Sequence, residues 1–301
     1  MGAGLTETLK ETARRAGADL VGVAPIERFE GTPPEHHPAS IFPEARSVVA
    51  IGRRILRGSL RGIEEGTNTF DYSCYGYSWL EKVFLPTTVY RAVGCLEDAG
   101  WEAVPMYPYP TNLAPEGVPV APDRPAPNVT IDFDRAAVAA GLGEIGFGGF
   151  FLSPQFGPRV RFGMILTDAE LEEDPLFAGS ICGKCMKCVD DCPLGAMTAD
   201  RTTTVNVAGK SSECAVVDYS LCRTCRNGAQ PSTFHDEGNP DRLAAVCARS
   251  CVHQLEANGK ISNTFATPFR TRRPWSVSLS GEITMGEAAP RIGGCSEPHR
   301  A

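Results

Sequence analysis

Nine of the twelve cysteines in this 301-residue chain lie between Cys182 and Cys251. Four of them, Cys182, Cys185, Cys188 and Cys192, are spaced C-x2-C-x2-C-x3-C, and Pro193 follows directly. Three thiolates this close can wrap one 4Fe–4S cubane, because each short loop returns the chain to the next iron. In two-cluster proteins the fourth cysteine, the one ahead of proline, ligates the other cluster. Zinc takes two separated pairs, and a three-plus-one run ending in Cys-Pro does not suit it. The remaining five are Cys214, Cys222, Cys225, Cys247 and Cys251. Two clusters need eight thiolates, so one is surplus. Cys222 and Cys225 form a tight pair, and Cys247 and Cys251 share one face of a helix. The assignment is Cys182, Cys185, Cys188 and Cys251 to cluster one, and Cys192, Cys222, Cys225 and Cys247 to cluster two. Cys214 is then the spare, with its exchange for Cys222 as the alternative.

A second candidate is the glycine loop Gly141-Leu142-Gly143-Glu144-Ile145-Gly146, which matches GxGxxG. A dinucleotide fingerprint needs a strand before it and a helix after it. Here an Ala-rich helix over 134–140 precedes it, and Phe147-Gly148-Gly149-Phe150 cannot continue as a helix. The nicotinamide reading is set aside. The glycines still imply close backbone approach or positive φ, against a large planar cofactor or another strand. Cys95 reads as a small core residue and Cys295 as idle, whereas Cys74 sits among Tyr72, Tyr75, Tyr77 and Trp79. His235, His253 and His299 read as surface groups, and His36-His37 as a weak adventitious metal site in a proline-rich loop. Arg270, Arg272 and Arg273, flanked by Phe269 and Trp275, are the best nucleic-acid candidate, or else an internal anchor.

Elements must position these groups. Leu5, Leu9, Ala13 and Ala16 recur at helical spacing, and the runs 20–24 and 47–51 read as buried strands. Pro86 opens a helix through Leu96, and Gly100 stops it. The prolines of 105–128 mark a long surface connection, neither helix nor central strand. A strand over 159–166 puts Val160, Phe162, Met164 and Leu166 on one face. The character changes near residue 175, giving a core over 1–174, a cysteine-rich domain over 175–275 and a surface tail over 276–301. The fold class is α+β. A hydrophobic content of 42% permits a real core without disulfide staples, and the net charge of −7 argues against a general polyanion binder. No apolar run of 18 suggests a membrane span, and no secretory or twin-arginine signal is visible in the first residues. The expected localisation is cytoplasmic, where clustered thiols hold metal.

The order of these features resembles one family. The loop over 140–146, then Ser153-Pro154-Gln155-Phe156-Gly157-Pro158-Arg159 and Thr167-Asp168, leads into the ferredoxin-type cysteines. This is similar to the cobalamin-dependent reductive dehalogenase and epoxyqueuosine reductase superfamily, as are the segments 18–24 and 43–49. The resemblance covers most of residues 5–275. It implies a nitroreductase-like, corrinoid-binding core with a two-cluster ferredoxin-like domain packed on it. It further implies cobalamin held base-off without a protein histidine. His235-Asp236-Glu237-Gly238 supplies H-x-x-G, but Thr233 stands where the D-x-H-x-x-G signature needs aspartate. Gly141, Leu142, Gly143, Gly146, Gly148, Ser153, Pro154, Gly157 and Arg159 are the implied cofactor-binding residues. A proton donor would come from Tyr72, Tyr75 or Tyr77. The implied activity is reductive cleavage of a carbon–halogen or carbon–oxygen bond in a small organic substrate, with reduced ferredoxin or flavodoxin as electron donor. Pro127 stands where epoxyqueuosine reductases carry an acid, which weighs against a tRNA substrate. The alternatives are an electron-transfer protein without corrinoid and a tRNA-modifying reductase with a displaced acid.

Overall fold

The computed structural model describes residues 2–285. At its centre is a four-stranded antiparallel sheet in the order β1-β2-β6-β3, made of β1 (Leu20–Pro25), β2 (Ser47–Arg54), β3 (Ala103–Met106) and β6 (Val160–Thr167). The two short strands between β3 and β6, β4 (Glu144–Ile145) and β5 (Phe151–Leu152), pair with each other and bracket the glycine loop. Side chains on a strand alternate between faces, and both faces of this sheet are covered. Val48 and Ala50 of β2, with Val160, Phe162, Met164 and Leu166 of β6, enter one core beneath α4 (Phe133–Ala139). Val49, Ile51 and Ile165 enter the other, beneath α1 (Gly2–Arg15) and α3 (Leu85–Asp98). Burial on both sides is why β2 and β6 read as nearly continuous apolar runs.

Most elements sit where the pattern puts them. Pro105 is an exception, because it lies inside β3, opposite Ile165. β3 is an edge strand, where a residue without an N–H can sit, so the proline-rich connection begins after Met106. A further short helix, α2 (Arg61–Glu65), precedes a π-helical stretch over Tyr72–Ser78 and Leu80–Phe84 that runs into α3.

The cysteine-rich region carries α5 (Lys187–Asp190), a hairpin of β7 (Thr202–Val207) and β8 (Lys210–Ala215), α6 (Tyr219–Arg223) and α7 (Val246–Ala257). A third core joins Phe147, Phe150 and Leu152 of the glycine-loop segment to Ile181, Met197, Ala248 and Leu255. A fourth joins Ile63, Tyr72 and Leu80 to Val252 and Phe269. Two short strands, β9 (Ser276–Val277) and β10 (Ile283–Thr284), form a ribbon at the end of the described chain. Cys295 and His299 lie outside the described residues.

The arginine cluster turns inward. Arg270 is buried, donates to Glu64 at 2.5 Å from Nε and to Ser250 at 2.9 Å, while Trp275 Nε1 donates to the Ile63 carbonyl at 2.8 Å. Arg272 pairs with Glu65. These groups hold residues 269–275 against α2 and α7, which is the anchor reading; Arg270 is buried, Trp275 half-buried and Arg273 exposed.

Candidate functional site

Each half of the cysteine assignment collects in space. Cys192, Cys222, Cys225 and Cys247 line one small internal chamber of about 20 Å³, together with Leu194, Met197, Ala245 and Val246. Burial, reinforced by the neighbouring sulfurs, pushes the Cys222 thiol up to about 11 and Cys247 up to about 12. Cys251 is pushed well up by burial and then by Cys188, Cys182 and Cys185, which identifies its neighbours. Cys188 is pushed up to about 11 by burial, then by Cys182 and Cys185. Thiols this reluctant to ionise become thiolates when a metal takes the proton's place. Among the described residues no three such side chains are arranged around a single metal ion. A cubane takes one thiolate at each iron, so four sulfurs spread around an apolar chamber could hold one. Cys214, the expected spare, does not line that chamber, and burial and then Cys182 push its thiol up. It is buried on β8, and its Sγ meets the Ser212 carbonyl at 3.8 Å.

The glycine loop explains its composition. A Cβ at Gly143 would stand 2.0 Å from the Leu152 carbonyl oxygen, and one at Gly141, where φ is +77°, 2.2 Å from that of Pro175. A Cβ at Gly148 would stand 3.1 Å from Cys188 Sγ. The Phe147 N–H points at Cys182 Sγ at 3.4 Å, and Glu144 Oε1 accepts from the N–H groups of Ile181 and Cys182 at 2.9 and 2.7 Å. The close partners are therefore β5, the chain at residue 175 and two cysteines of the first quartet. Leu142 packs against the sheet core. Ser153, Pro154, Gly157 and Arg159 form a turn against residues 255–263: Arg159 donates to Ile55 O and Asn263 Oδ1, both at 2.8 Å, and Pro154 O accepts from Ser262 N.

Between the sheet and the cysteine region lies a cavity of about 690 Å³, lined among others by Tyr77, Glu81, Asp134, Gly149, Arg161, Cys214, Tyr219, Asp241 and Arg242. Of the three tyrosines, Tyr77 lines it, Tyr72 is fully buried behind it, and Tyr75 is 47% exposed with its ring edge-on to Trp79. Burial raises Tyr72 well above its ordinary range and Tyr77 to about 12. Arg161 organises the wall. Its Nη1 meets Glu81 at 2.7 Å, Nη2 meets Asp241 at 3.0 Å and the Tyr72 hydroxyl at 2.8 Å, and Nε donates to Gly76 O. The Tyr72 hydroxyl in turn donates to Asp241 at 2.6 Å. Two carboxylates thus share one guanidinium, and they are not equivalent. Both Asp241 oxygens are hydrogen-bonded, whereas Glu81 Oε2 is buried with no partner. Burial outweighs Arg161 and pushes Glu81 up to about 7. Asp134 is also pushed to about 7, first by desolvation and then by Asp132, but its carboxyl is exposed and cavity water screens that push.

Sequence reasoning missed Glu81, Arg161, Asp241, Arg242 and Tyr219. One signal was available: Arg161 interrupts an apolar strand flanked by Val160 and Phe162, a charge that must find partners.

No family model matches the chain. It is 43% identical over 68 residues to a tetrachloroethene reductive dehalogenase of Desulfitobacterium hafniense, covering 22% of this chain and 12% of that protein. It is 40% identical over 65 residues to an epoxyqueuosine reductase of Lactococcus garvieae, covering 21% and 18%. Over about a fifth of its length the chain is thus similar to proteins of both names. The solved structure of a catabolic reductive dehalogenase in complex with 3-bromo-4-hydroxybenzoic acid superposes on 100% of the chain and 42% of its own, with a TM-score of 0.52 at 17% identity. That likeness shows a shared fold of mixed helices and strands. The matches thus span 12% and 18% of the two curated relatives and under half of the solved structure.

Proposed function

We propose that the chain is an iron–sulfur reductase that passes electrons through two 4Fe–4S clusters to a corrinoid and cleaves a carbon–halogen or carbon–oxygen bond in a small organic molecule. The observation that carries this reading is that the chamber lined by Cys192, Cys222, Cys225 and Cys247 and one large cavity walled by ionisable groups share Arg242 as a common wall. The first quartet is Cys182, Cys185, Cys188 and Cys251, and the second is Cys192, Cys222, Cys225 and Cys247. The relatives' names, a reductive dehalogenase and an epoxyqueuosine reductase, support the reaction class. A corrinoid bound there would supply a strongly reducing metal centre, and the protein would supply orientation, electrons and protons.

For a halide the balance is two electrons and one proton in, a carbon–hydrogen bond formed, and halide out. The electrons would come from a reduced ferredoxin or flavodoxin. Glu81 is the group best suited to hold the proton, because it is buried at the cavity wall, keeps an unpartnered oxygen and titrates near neutrality. Tyr77, raised to about 12, would orient the substrate or donate only to a strongly basic acceptor. Arg161 holds Glu81 and Asp241 in place, and Tyr72 acts behind it. A mainly apolar pocket of about 230 Å³, lined by Leu85, Val89, Met106 and Phe162, also touches Glu81 and would take the substrate's carbon skeleton. Anaerobic reconstitution with iron, sulfide and cobalamin, followed by reduction in the presence of a halogenated phenol, tests the reading. Halide release that depends on the corrinoid supports it; failure to take up any corrinoid overturns it.

A further inference from the structure

Arg242 stands between two compartments. It lines the chamber of Cys192, Cys222, Cys225 and Cys247, and it also lines the large cavity. The side chain is 6% exposed. Nη2 donates to the Gly148 carbonyl at 3.1 Å, Nη1 approaches Met197 Sδ at 3.3 Å, and the plane lies 4.5 Å from the Phe150 ring centre. Tyr219, at the start of α6, completes the surround, its ring centre 5.4 Å from the guanidinium. None of these partners is an anion. The adjacent Asp241, which would be the obvious one, is turned to Arg161 and Tyr72.

A buried guanidinium without a carboxylate is costly unless another negative charge faces it. The charges it faces are sulfurs: Cys222 and Cys247 both interact with it electrostatically. A cubane with four thiolates is anionic, and taking up an electron makes it more so. A fixed positive charge at its edge, screened from water, favours the reduced form, and net charge near the cluster is one of the quantities that sets its potential.

We infer that Arg242 is a positioning residue that raises the reduction potential of the cluster held by Cys192, Cys222, Cys225 and Cys247, at the wall that cluster shares with the cavity. The inference rests on the two-cluster reading above and adds which residue tunes which cluster. The fixed charge is the quantity at issue, so Arg242→Gln and Arg242→Lys separate it from packing. The reconstituted full chain would be assayed for iron, then titrated anaerobically with both cluster signals followed by electron paramagnetic resonance. In Arg242→Gln one cluster is expected to shift its reduction equilibrium at least tenfold toward the oxidised form, about 59 mV for one electron. The other cluster should hold its value, and Arg242→Lys should stay near the unaltered protein. An unchanged potential in Arg242→Gln, or an equal shift in Arg242→Lys, overturns the inference. Should Arg242→Gln lose half its iron, retention of both clusters by Arg242→Lys upholds the need for charge, and loss in both variants overturns it. If the unaltered chain itself binds fewer than two clusters, the underlying two-cluster reading is what fails.

Discussion

Glu81→Gln isolates the proton that the cavity wall is built to hold. The carboxyl rises from an ordinary 4.5 to about 7 because burial outweighs the attraction of Arg161, with Asp241 adding repulsion and Lys82 a small attraction. The folded protein therefore binds this proton more tightly than the unfolded chain does. Its stabilising contribution is complete below pH 4.5 and is lost as pH rises through about 7. At about 1.4 kcal/mol for each pH unit, the loss between pH 5.5 and 7.5 is roughly 2 kcal/mol. Glutamine imitates the protonated acid in size and neutrality and cannot lose that proton. The variant should thus gain on the unaltered protein by roughly 2 kcal/mol across that range. Thermal unfolding of both proteins, clusters loaded, at a series of pH values reads the difference directly. Asp134 is present in both and cancels. A difference that stays flat from pH 5.5 to 7.5, or that changes in the opposite direction, would refute the assignment of the proton to Glu81.

Other perturbations reach different parts of the account. Glu64, which is 4% exposed, holds both Arg249 and Arg270. Glu64→Ala should cost about 3–5 kcal/mol in thermal or denaturant unfolding, by stranding the buried Arg249 and leaving Arg270 only Ser250 and a longer contact to Asp191; a loss well below that would mean the arginines find other partners. Gly143→Ala drives a Cβ into the Leu152 carbonyl and should destabilise by about 1–3 kcal/mol or more. Tolerance of that substitution would show that the loop is not tightly seated on β5. Tyr72→Phe removes the hydroxyl that bridges Asp241 and Arg161, so a loss of about 1–3 kcal/mol is expected in the same assays.

The elements of the core were legible because the sheet is buried on both faces. Continuous apolar runs at 20–24 and 47–51, and the alternation of Val160, Phe162, Met164 and Leu166, leave few other readings. The placement of Cys247 and Cys251 on one helix was legible from their spacing. The cavity wall was not. Glu81 and Tyr77 lie on a π-helical stretch, whose side-chain phase departs from the 3.6-residue period that pattern reading relies on. Asp241 and Arg242 sit in a segment without regular structure, and what matters about them is contact across 80 to 94 residues with Arg161 and Gly148. The glycine loop was read correctly as a close-approach segment, but its partners, the Leu152 carbonyl and the sulfurs of Cys182 and Cys188, only appear in three dimensions. The same holds for Arg270, whose partner Glu64 is some 206 residues away.

The central claim is that two separate cysteine quartets each carry a cluster beside a corrinoid cavity. Metal content after anaerobic reconstitution, measured on the unaltered chain, Cys222→Ala and Cys214→Ala, tests it most directly. The account predicts about eight irons and one cobalt for the unaltered chain and for Cys214→Ala, with loss of one cluster's signal in Cys222→Ala. Full iron in Cys222→Ala together with loss in Cys214→Ala, or iron without any cobalt uptake, would contradict it.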